Sequence, residues 1–324
     1  MNDAHPGDAA LNAVLRRLPG LYAVPKKEAE ERLAAFLKPK QKALQQRKNE
    51  PHKEYRRRLQ MAFAGPRWLL TRRKIAAAFS AANAKATESV NDGLEKAFLD
   101  GFNLAAYGMS LTGAAILPMT AAIVALFVAE KIITLDKRTL KKGKDIAYNE
   151  QRVQNGVFAA IVQDIPVEDI PEHVASHVAH VRRTETTAYA RAAIYGAADM
   201  GAYYAGLEAE RDGLDIEKTW LSIMDMRVRR SHKHLHGVTI PIDEKFIGYD
   251  GALRFPHDPA APPAETYNCR CRMVVHLAGK SPGIYSRELL PSEVSAYRRW
   301  REEQIRKAGT EVELEKQHKR ELRR

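Results

Sequence analysis

Residues 218–240 read KTWLSIMDMRVRRSHKHLHGVTI, and the chain changes character within this stretch. From Lys218 to Met224, β-branched and aromatic residues alternate with others, which is typical of a strand, and Gly237 to Ile242 predicts a second one. The Pro-rich residues 256–263 then predict an irregular loop, and Met273 to Leu277 a closing strand. The sequence thus predicts a small α+β module.

The remainder of the chain predicts helices. Residues 26–99 are rich in helix-forming residues, and Pro39, Pro51 and Pro66 divide them into several helices. We therefore predict a mainly α N-terminal helical body, a small α+β C-terminal module and a charged C-terminal helix. The first predicted division is a basic helical region, residues 1–150, which contains an apolar hairpin at 101–129. It is followed by a helical connector (151–213), the α+β module (214–280) and a charged helical tail (281–324).

Cysteine usage and charge limit the class of protein. The only cysteines of the 324 residues are Cys269 and Cys271, which are too close for a relaxed disulfide. The first eight residues lack a basic segment followed by an apolar one, so we expect folding in a reducing cytoplasm.

The formal net charge is +12, and residues 26–74 hold 16 Lys/Arg against 5 Asp/Glu. This concentration favours a partner such as nucleic acid, anionic lipid or an acidic protein, although solvated helix faces are an alternative.

Aromatic and basic residues alternate within the basic region. The candidate nucleic-acid contacts are Arg56, Arg57, Arg58, Arg72, Arg73 and Lys74. Aromatic residues between such bases can stack on nucleic acid. Their roughly helical spacing favours instead the buried face of an amphipathic helix, for Tyr55, Leu59, Phe63, Trp68, Ile75 and Phe79.

Residues 101–129 contain no charged side chain. Their length would allow a membrane span. Small and polar residues dilute the stretch, and Pro118 divides it into two pieces of helix-core length. A buried helical hairpin is therefore favoured, and membrane contact remains the alternative.

Donor groups are dense between Asp225 and Gly237, and Asn268-Cys269-Arg270-Cys271 follows about thirty residues later. His232 and His236 would share one face of a helix, and two thiolates could complete a tetrahedral zinc site. The candidate metal ligands are His232, His236, Cys269 and Cys271. The alternative is that both cysteines are small buried residues.

These motifs, taken in order, resemble the phage Mu F-like head morphogenesis family. The resemblance covers about residues 174–277 and includes the upstream segment 183–186. Its motifs are Thr219-Trp220, Asp225-x-Arg227, Arg230-x-His232-x-x-Leu235-x-Gly237, Phe246, Pro256-x-Asp258-Pro259 and Asn268-Cys269-Arg270-Cys271. The module positions are Trp220, Asp225, Arg227, Arg230, His232, Gly237, Asn268, Cys269 and Cys271.

The resemblance implies a minor capsid component, present in few copies in the virion, at the portal vertex and head interior. Portal protein, other head proteins and DNA are the implied partners, without a small-molecule substrate, and assembly would take place in the host cytoplasm. We expect the motif to tie the Pro-rich loop to the His-containing turn, and assign no catalytic residue. One alternative is a metal-dependent nuclease, whose metal site and general base would come from Asp225, His232, His257 and Asp258. The other alternative is a membrane-active virion protein.

Overall fold

The computed structural model describes residues 5–130, 133–135, 145–280 and 291–307, together with 313 and 316. The chain divides into two compact units, each assembled from separated segments. Unit 1 comprises residues 1–14, 90–137 and 190–324, and unit 2 comprises 15–89 and 138–189. The units therefore do not follow the linear divisions predicted from the sequence.

Helices dominate the first 211 residues, as predicted. They are α1 (Asp8–Leu37), a 3₁₀ turn (Lys38–Lys40), α2 (Gln41–Leu44), α3 (His52–Ala62), α4 (Pro66–Leu111), α5 (Ala121–Ala129), α6 (Ile146–Val162) and α7 (Ile170–Arg211). Pro51 precedes α3 and Pro66 begins α4, where a missing N–H costs no helical hydrogen bond. Helix α1, by contrast, continues through Pro19 and Pro25, so prolines mark only some of the helix boundaries.

The periodic aromatic and aliphatic residues of the basic region form part of the core of unit 2. Every member of the series is buried: Tyr55, Leu59, Phe63, Trp68, Ile75 and Phe79. Trp68 also donates its Nε1–H to Gln154 Oε1 at 2.9 Å. The core-face interpretation is confirmed, and these rings are not available to stack on nucleic-acid bases.

The uncharged residues 101–129 form the end of α4, a connection and α5, all within unit 1. Asn103 joins the two sides: its side chain donates to the Met119 carbonyl oxygen at 3.0 Å and accepts from the Met119 N–H at 2.7 Å. Phe102, Ile123 and Phe127 are fully buried. The favoured buried hairpin is confirmed. None of the described helices combines the length and apolar composition needed to cross a bilayer.

The predicted α+β module is present in unit 1. Its elements are β1 (Ile216–Leu221), α8 (Arg230–Leu235), β2 (Thr239–Pro241), β3 (Phe246–Ile247), β4 (Ala252–Leu253), α9 (Pro263–Thr266) and β5 (Arg272–Leu277). Strand β1 is the centre of an antiparallel sheet of order β2-β1-β5, with Thr219 opposite both Thr239 and Val274. Strands β3 and β4 form a separate short hairpin.

The charged tail begins with helix α10 (Pro291–Lys307), and the remainder of that predicted segment lies largely outside the described residues. Glu303 and Lys307 form an i,i+4 ion pair at 2.9 Å. Tyr297 and Trp300 lie against Tyr107, with ring centroids 5.4 and 5.3 Å apart. The helix is therefore amphipathic, and its aromatic residues pack against the rest of unit 1.

Two glycines allow helices α4 and α7 to meet within unit 1. A Cβ atom at Gly101 would overlap the carbonyl oxygen of Ala198, and one at Gly201 would overlap that of Phe98. The backbones of the two helices are thus in direct contact, and no side chain can be placed between them. Gly20, inside α1, has open space where a Cβ would lie.

We expect Gly101→Ala to destabilise the protein by more than about 2 kcal/mol, because overlap with backbone cannot be relieved by a rotamer change. Gly20→Ala is the matched control and should raise the free energy of unfolding by about 0.5–1 kcal/mol through its helix propensity. Urea denaturation followed by circular dichroism measures both. Equal stabilities for Gly101→Ala and wild type would contradict the close helix contact.

Candidate functional site

Three of the predicted ligands meet in the module. His232 lies in the short helix α8, while Cys269 and Cys271 lie between α9 and β5. The Nδ1 atom of His232 is 3.5 Å from the Cys269 sulfur and 3.4 Å from the Cys271 sulfur. All three side chains are buried, with exposed fractions of 1%, 3% and 2%. The structure therefore forms a closed thiol–imidazole cluster.

Glu265 orients the imidazole of this cluster. Its Oε2 atom lies 2.9 Å from His232 Nε2 and 3.1 Å from the Ser231 hydroxyl, and its Oε1 atom accepts from the Asp250 N–H at 2.9 Å. A carboxylate oxygen accepts, so the proton of the neutral imidazole is on Nε2. The lone pair of Nδ1 consequently points toward the two sulfurs.

Trp220 and Ser222 support the histidine from strand β1 and the residue after it. The Trp220 ring meets the His232 ring edge-on, with centroids 5.1 Å apart. Trp220 Nε1 donates to the Ser222 hydroxyl at 3.0 Å, and that hydroxyl donates to the His232 carbonyl oxygen at 2.6 Å. Both the ring and the backbone of His232 are therefore held by the sheet.

The two thiols have different acidities. The hydrogen bond from Cys269, together with His232, outweighs burial and lowers the pKa of Cys271 to about 4. Burial and the neighbouring Cys271 raise the pKa of Cys269 well above its ordinary value.

His236, the fourth predicted ligand, lies apart from the cluster. Helix α8 ends at Leu235, so His236 does not continue the helical face of His232. Its exposed ring accepts the Ser222 N–H at Nδ1, 3.0 Å away. The structure thus brings together His232, Cys269 and Cys271 and gives His236 a turn-forming contact.

The remaining motif positions shape the surrounding turns. Asp225 accepts two hydrogen bonds from Arg270, at 2.7 and 2.6 Å. Gly237 has a positive φ, 79°, and its N–H bonds the Trp220 carbonyl oxygen at 2.8 Å. Asn268 is exposed and contributes a φ of 56°. Two further module positions are exposed: Arg227 and Arg230.

A second buried cluster in unit 1 involves His5, Asp199 and His257. Asp199 Oδ1 is 3.4 Å from His5 Nε2, and Asp199 Oδ2 is 3.2 Å from His257 Nδ1. His257 Nε2 donates to the Cys269 carbonyl oxygen at 2.9 Å, which links this cluster to the cysteine turn. Burial raises the pKa of Asp199, but the two histidines outweigh it and leave the pKa below its ordinary value.

The carboxylates of the nuclease alternative do not join these histidines. Asp225 pairs with Arg270, and Asp258 pairs with Arg254 at 2.7 Å. His257 belongs to the Asp199 cluster, and His232 to the cysteine cluster. Among the described residues, the recruited set of Asp225, His232, His257 and Asp258 therefore does not assemble into one group.

The upstream segment at residues 183–186 belongs to a polar network in unit 2. Thr186 lies 2.7 Å from the Tyr22 hydroxyl, which also donates to Asn83. Glu185 accepts from Arg152 at 3.0 Å and also pairs with Arg182. Residues 183–186 thus take part in polar contacts that join helices α1, α4, α6 and α7 within unit 2.

The candidate nucleic-acid residues divide into two sets. Three are held inside unit 2: Arg56 bonds Asp164, Arg58 bonds Glu50, and Arg72 bonds Gln154. The other three are exposed and take part in no ion pair among the described residues: Arg57, Arg73 and Lys74. The second set is therefore the one that is fully available to a partner.

Sequence reasoning missed several residues of both clusters. Glu265, Ser222, Asp199 and His5 are contributed by distant parts of the chain, so no spacing pattern identifies them. Glu265 carried the one available signal, since it is a lone carboxylate between prolines and the Cys-Arg-Cys motif.

Residues 151–274 match the family model described as Phage Mu protein F like protein. The chain is also similar to the NAD(+)--arginine ADP-ribosyltransferase EFV of Enterococcus faecalis (strain ATCC 700802 / V583), 32% identical over 103 residues. That alignment covers 31% of this chain and 20% of the relative, so the chain matches about a fifth of the relative's length. No solved structure matches the chain.

We expect Asp199→Asn to lower the free energy of unfolding by about 3–5 kcal/mol, because it leaves buried donors facing a neutral amide. The exposed Asp212→Asn is the control and should change stability by less than about 0.5 kcal/mol. The pKa of Asp199 is held below its ordinary value, so its stabilisation is present above the pKa of the unfolded chain and is lost as pH falls through the lowered folded-state pKa. The stability difference between wild type and Asp199→Asn should shrink in acid, and a pH-independent difference would contradict the assignment.

Proposed function

We propose that this protein, whose residues 151–274 form a Phage Mu protein F like domain, acts in phage head morphogenesis as a minor head component at the portal vertex. The family match supports a role in head morphogenesis, and the proposal adds the protein's location and its contact with packaged DNA. The observation that carries the proposal is the family match over the domain that contains the buried cysteine–histidine cluster. The transferase activity named for the relative is not transferred to this chain, because the match covers only 20% of that relative.

The buried cluster supports a structural role for the domain. Cys269, Cys271 and His232 are joined to Glu265, and these contacts tie the Pro-rich loop to helix α8. The cavity beside them has a volume of about 10 Å³, roughly what one water molecule requires. A cavity of that size favours a clamp that holds loops in place over a site that receives a substrate.

Unit 2 presents the positive charge for the proposed DNA contact. Ten exposed Lys/Arg side chains lie between residues 26 and 74: Lys27, Lys38, Lys42, Arg47, Lys48, Lys53, Arg57, Arg67, Arg73 and Lys74. Cations that are not neutralised within the protein can displace the counterions of DNA phosphates. The aromatic residues nearby are buried, so the proposed contact is with the phosphate backbone and is independent of base sequence.

We expect the triple variant Arg57→Ala/Arg73→Ala/Lys74→Ala to bind duplex DNA more weakly and with a weaker salt dependence. Three lost phosphate contacts should reduce the slope of log affinity against log salt concentration by roughly 3. Fluorescence anisotropy with a labelled random duplex, at several salt concentrations, measures both quantities.

The matched control removes the same charge from unit 1, in Arg211→Ala/Lys233→Ala/Lys245→Ala, whose three side chains are exposed. It should keep the wild-type slope. Equal losses in the two triple variants, or a wild-type affinity that does not change with salt, would count against the proposed DNA contact.

We expect the protein to sediment with DNA-filled heads, in few copies per particle, when the phage or prophage that encodes it is induced. Quantitative mass spectrometry of gradient-purified heads measures its copy number, and deletion of its gene should reduce the yield of filled heads. Absence of the protein from heads, together with normal yields after deletion, would refute the proposed role in the head.

A further inference from the structure

We propose that His232, Cys269 and Cys271 bind one zinc ion, with Glu265 as the hydrogen-bonding partner of the histidine ligand. The three ligand atoms lie within 4.8 Å of one another and are buried. Two thiolates and one imidazole form a donor set that zinc prefers. The inference does not depend on a role in the phage head, since it rests on the geometry of these side chains.

The distances fit an ion at the centre of the three atoms. Zinc–sulfur bonds of about 2.3 Å and zinc–nitrogen bonds of about 2.0–2.1 Å, at tetrahedral angles, separate nitrogen from sulfur by about 3.6 Å. The observed separations from His232 Nδ1 are 3.5 Å to Cys269 and 3.4 Å to Cys271. A single nitrogen lone pair can accept only one thiol proton, so two sulfurs at matching distances favour a shared cation.

The tautomer of His232 is the one that a metal ligand needs. The hydrogen bond from Nε2 to Glu265, 2.9 Å long, leaves Nδ1 without a proton and directed at the sulfurs. A carboxylate behind a ligating histidine is a frequent arrangement in zinc sites, where it fixes the ring and increases its basicity. Ser231 and the Asp250 N–H hold Glu265 in turn, at 3.1 and 2.9 Å.

The backbone of the cysteine turn is also arranged for the ion. Asn268 has a φ of 56°, which turns the chain immediately before Cys269. The N–H of Cys271 donates to the Cys269 sulfur at 3.3 Å. This contact stabilises negative charge on a sulfur that is otherwise buried, and it brings both sulfurs of the closely spaced pair to one side of the turn.

Three protein ligands leave one position of a tetrahedral ion to be filled. The adjoining cavity, about 10 Å³ in volume, is lined partly by Arg227, Arg229 and Arg270. That volume is about what a single water molecule requires. We therefore assign the fourth position to solvent and infer that the ion holds α8 against the cysteine turn.

A cysteine–histidine–carboxylate catalytic group would show some of the same contacts, but two features oppose it. A nucleophile needs one sulfur beside the histidine, whereas both Cys269 and Cys271 lie there. A reacting acyl or phosphoryl group would also need more space than the cavity offers. Metal binding accounts for both sulfurs and for the size of the cavity.

Metal analysis of the full-length protein tests the proposal. Wild-type protein, dialysed against metal-free buffer, should retain one zinc per chain, and Cys269→Ser/Cys271→Ser should retain none. Glu265→Gln keeps all three ligands and should weaken zinc affinity by about 10- to 100-fold in competition with a chromophoric chelator. Cobalt added to the metal-free protein should give a thiolate charge-transfer band that Cys269→Ser/Cys271→Ser lacks.

The control is His236→Gln, which changes the neighbouring exposed histidine and should keep the zinc content and the cobalt spectrum of wild type. Circular dichroism of each variant separates a lost ligand from a lost fold. Folded wild-type protein that holds neither zinc nor cobalt would overturn the proposal. So would zinc retained by the double cysteine variant, or zinc lost from His236→Gln.

Discussion

The hydrogen bond between Glu265 and His232 is the interaction on which the α+β module depends. A buried carboxylate is costly unless donors surround it, and Glu265, with an exposed fraction of 0%, has three: Ser231, His232 and the Asp250 N–H. These donors belong to the start of α8 and to the β3–β4 connection. A helix of six residues is unstable alone, so the position of α8 is set by this carboxylate and by the sheet beside it.

Polar interactions inside the protein and positive charge on its surface serve different purposes here. The clusters around His232 and Asp199 are buried, and they connect loops that have few regular hydrogen bonds. The exposed lysines and arginines of unit 2 are instead left outside the ion pairs of the described chain. Arg56 and Arg57 show the distinction between adjacent residues, since the first bonds Asp164 and the second faces solvent.

Much of the fold was predictable because its signals are local. Alternating residues identified β1, the segments predicted at Gly237–Ile242 and Met273–Leu277 contain β2 and β5, and helical periodicity identified the buried aromatic face of unit 2. The candidate site was predictable only in part. His236 would share a helix face with His232 only if the helix continued past Leu235, where it ends. Residue propensities do not predict the end of a helix to within one residue. Partners such as Glu265 and Asp199 are distant in the chain, so only tertiary structure brings them to the site.

The assembly of unit 1 from separated segments has a consequence for synthesis on the ribosome. His5 is synthesised before its buried partner Asp199, which lies nearly two hundred residues further along the chain. The neighbouring His257 is synthesised later still. Strand β1 likewise waits for β5 to complete its sheet. Contacts of such long sequence separation form slowly, because a large loop must close first. A chain that stops before residue 272 therefore leaves the hydrophobic face of β1 exposed, and truncated products are candidates for aggregation or proteolysis.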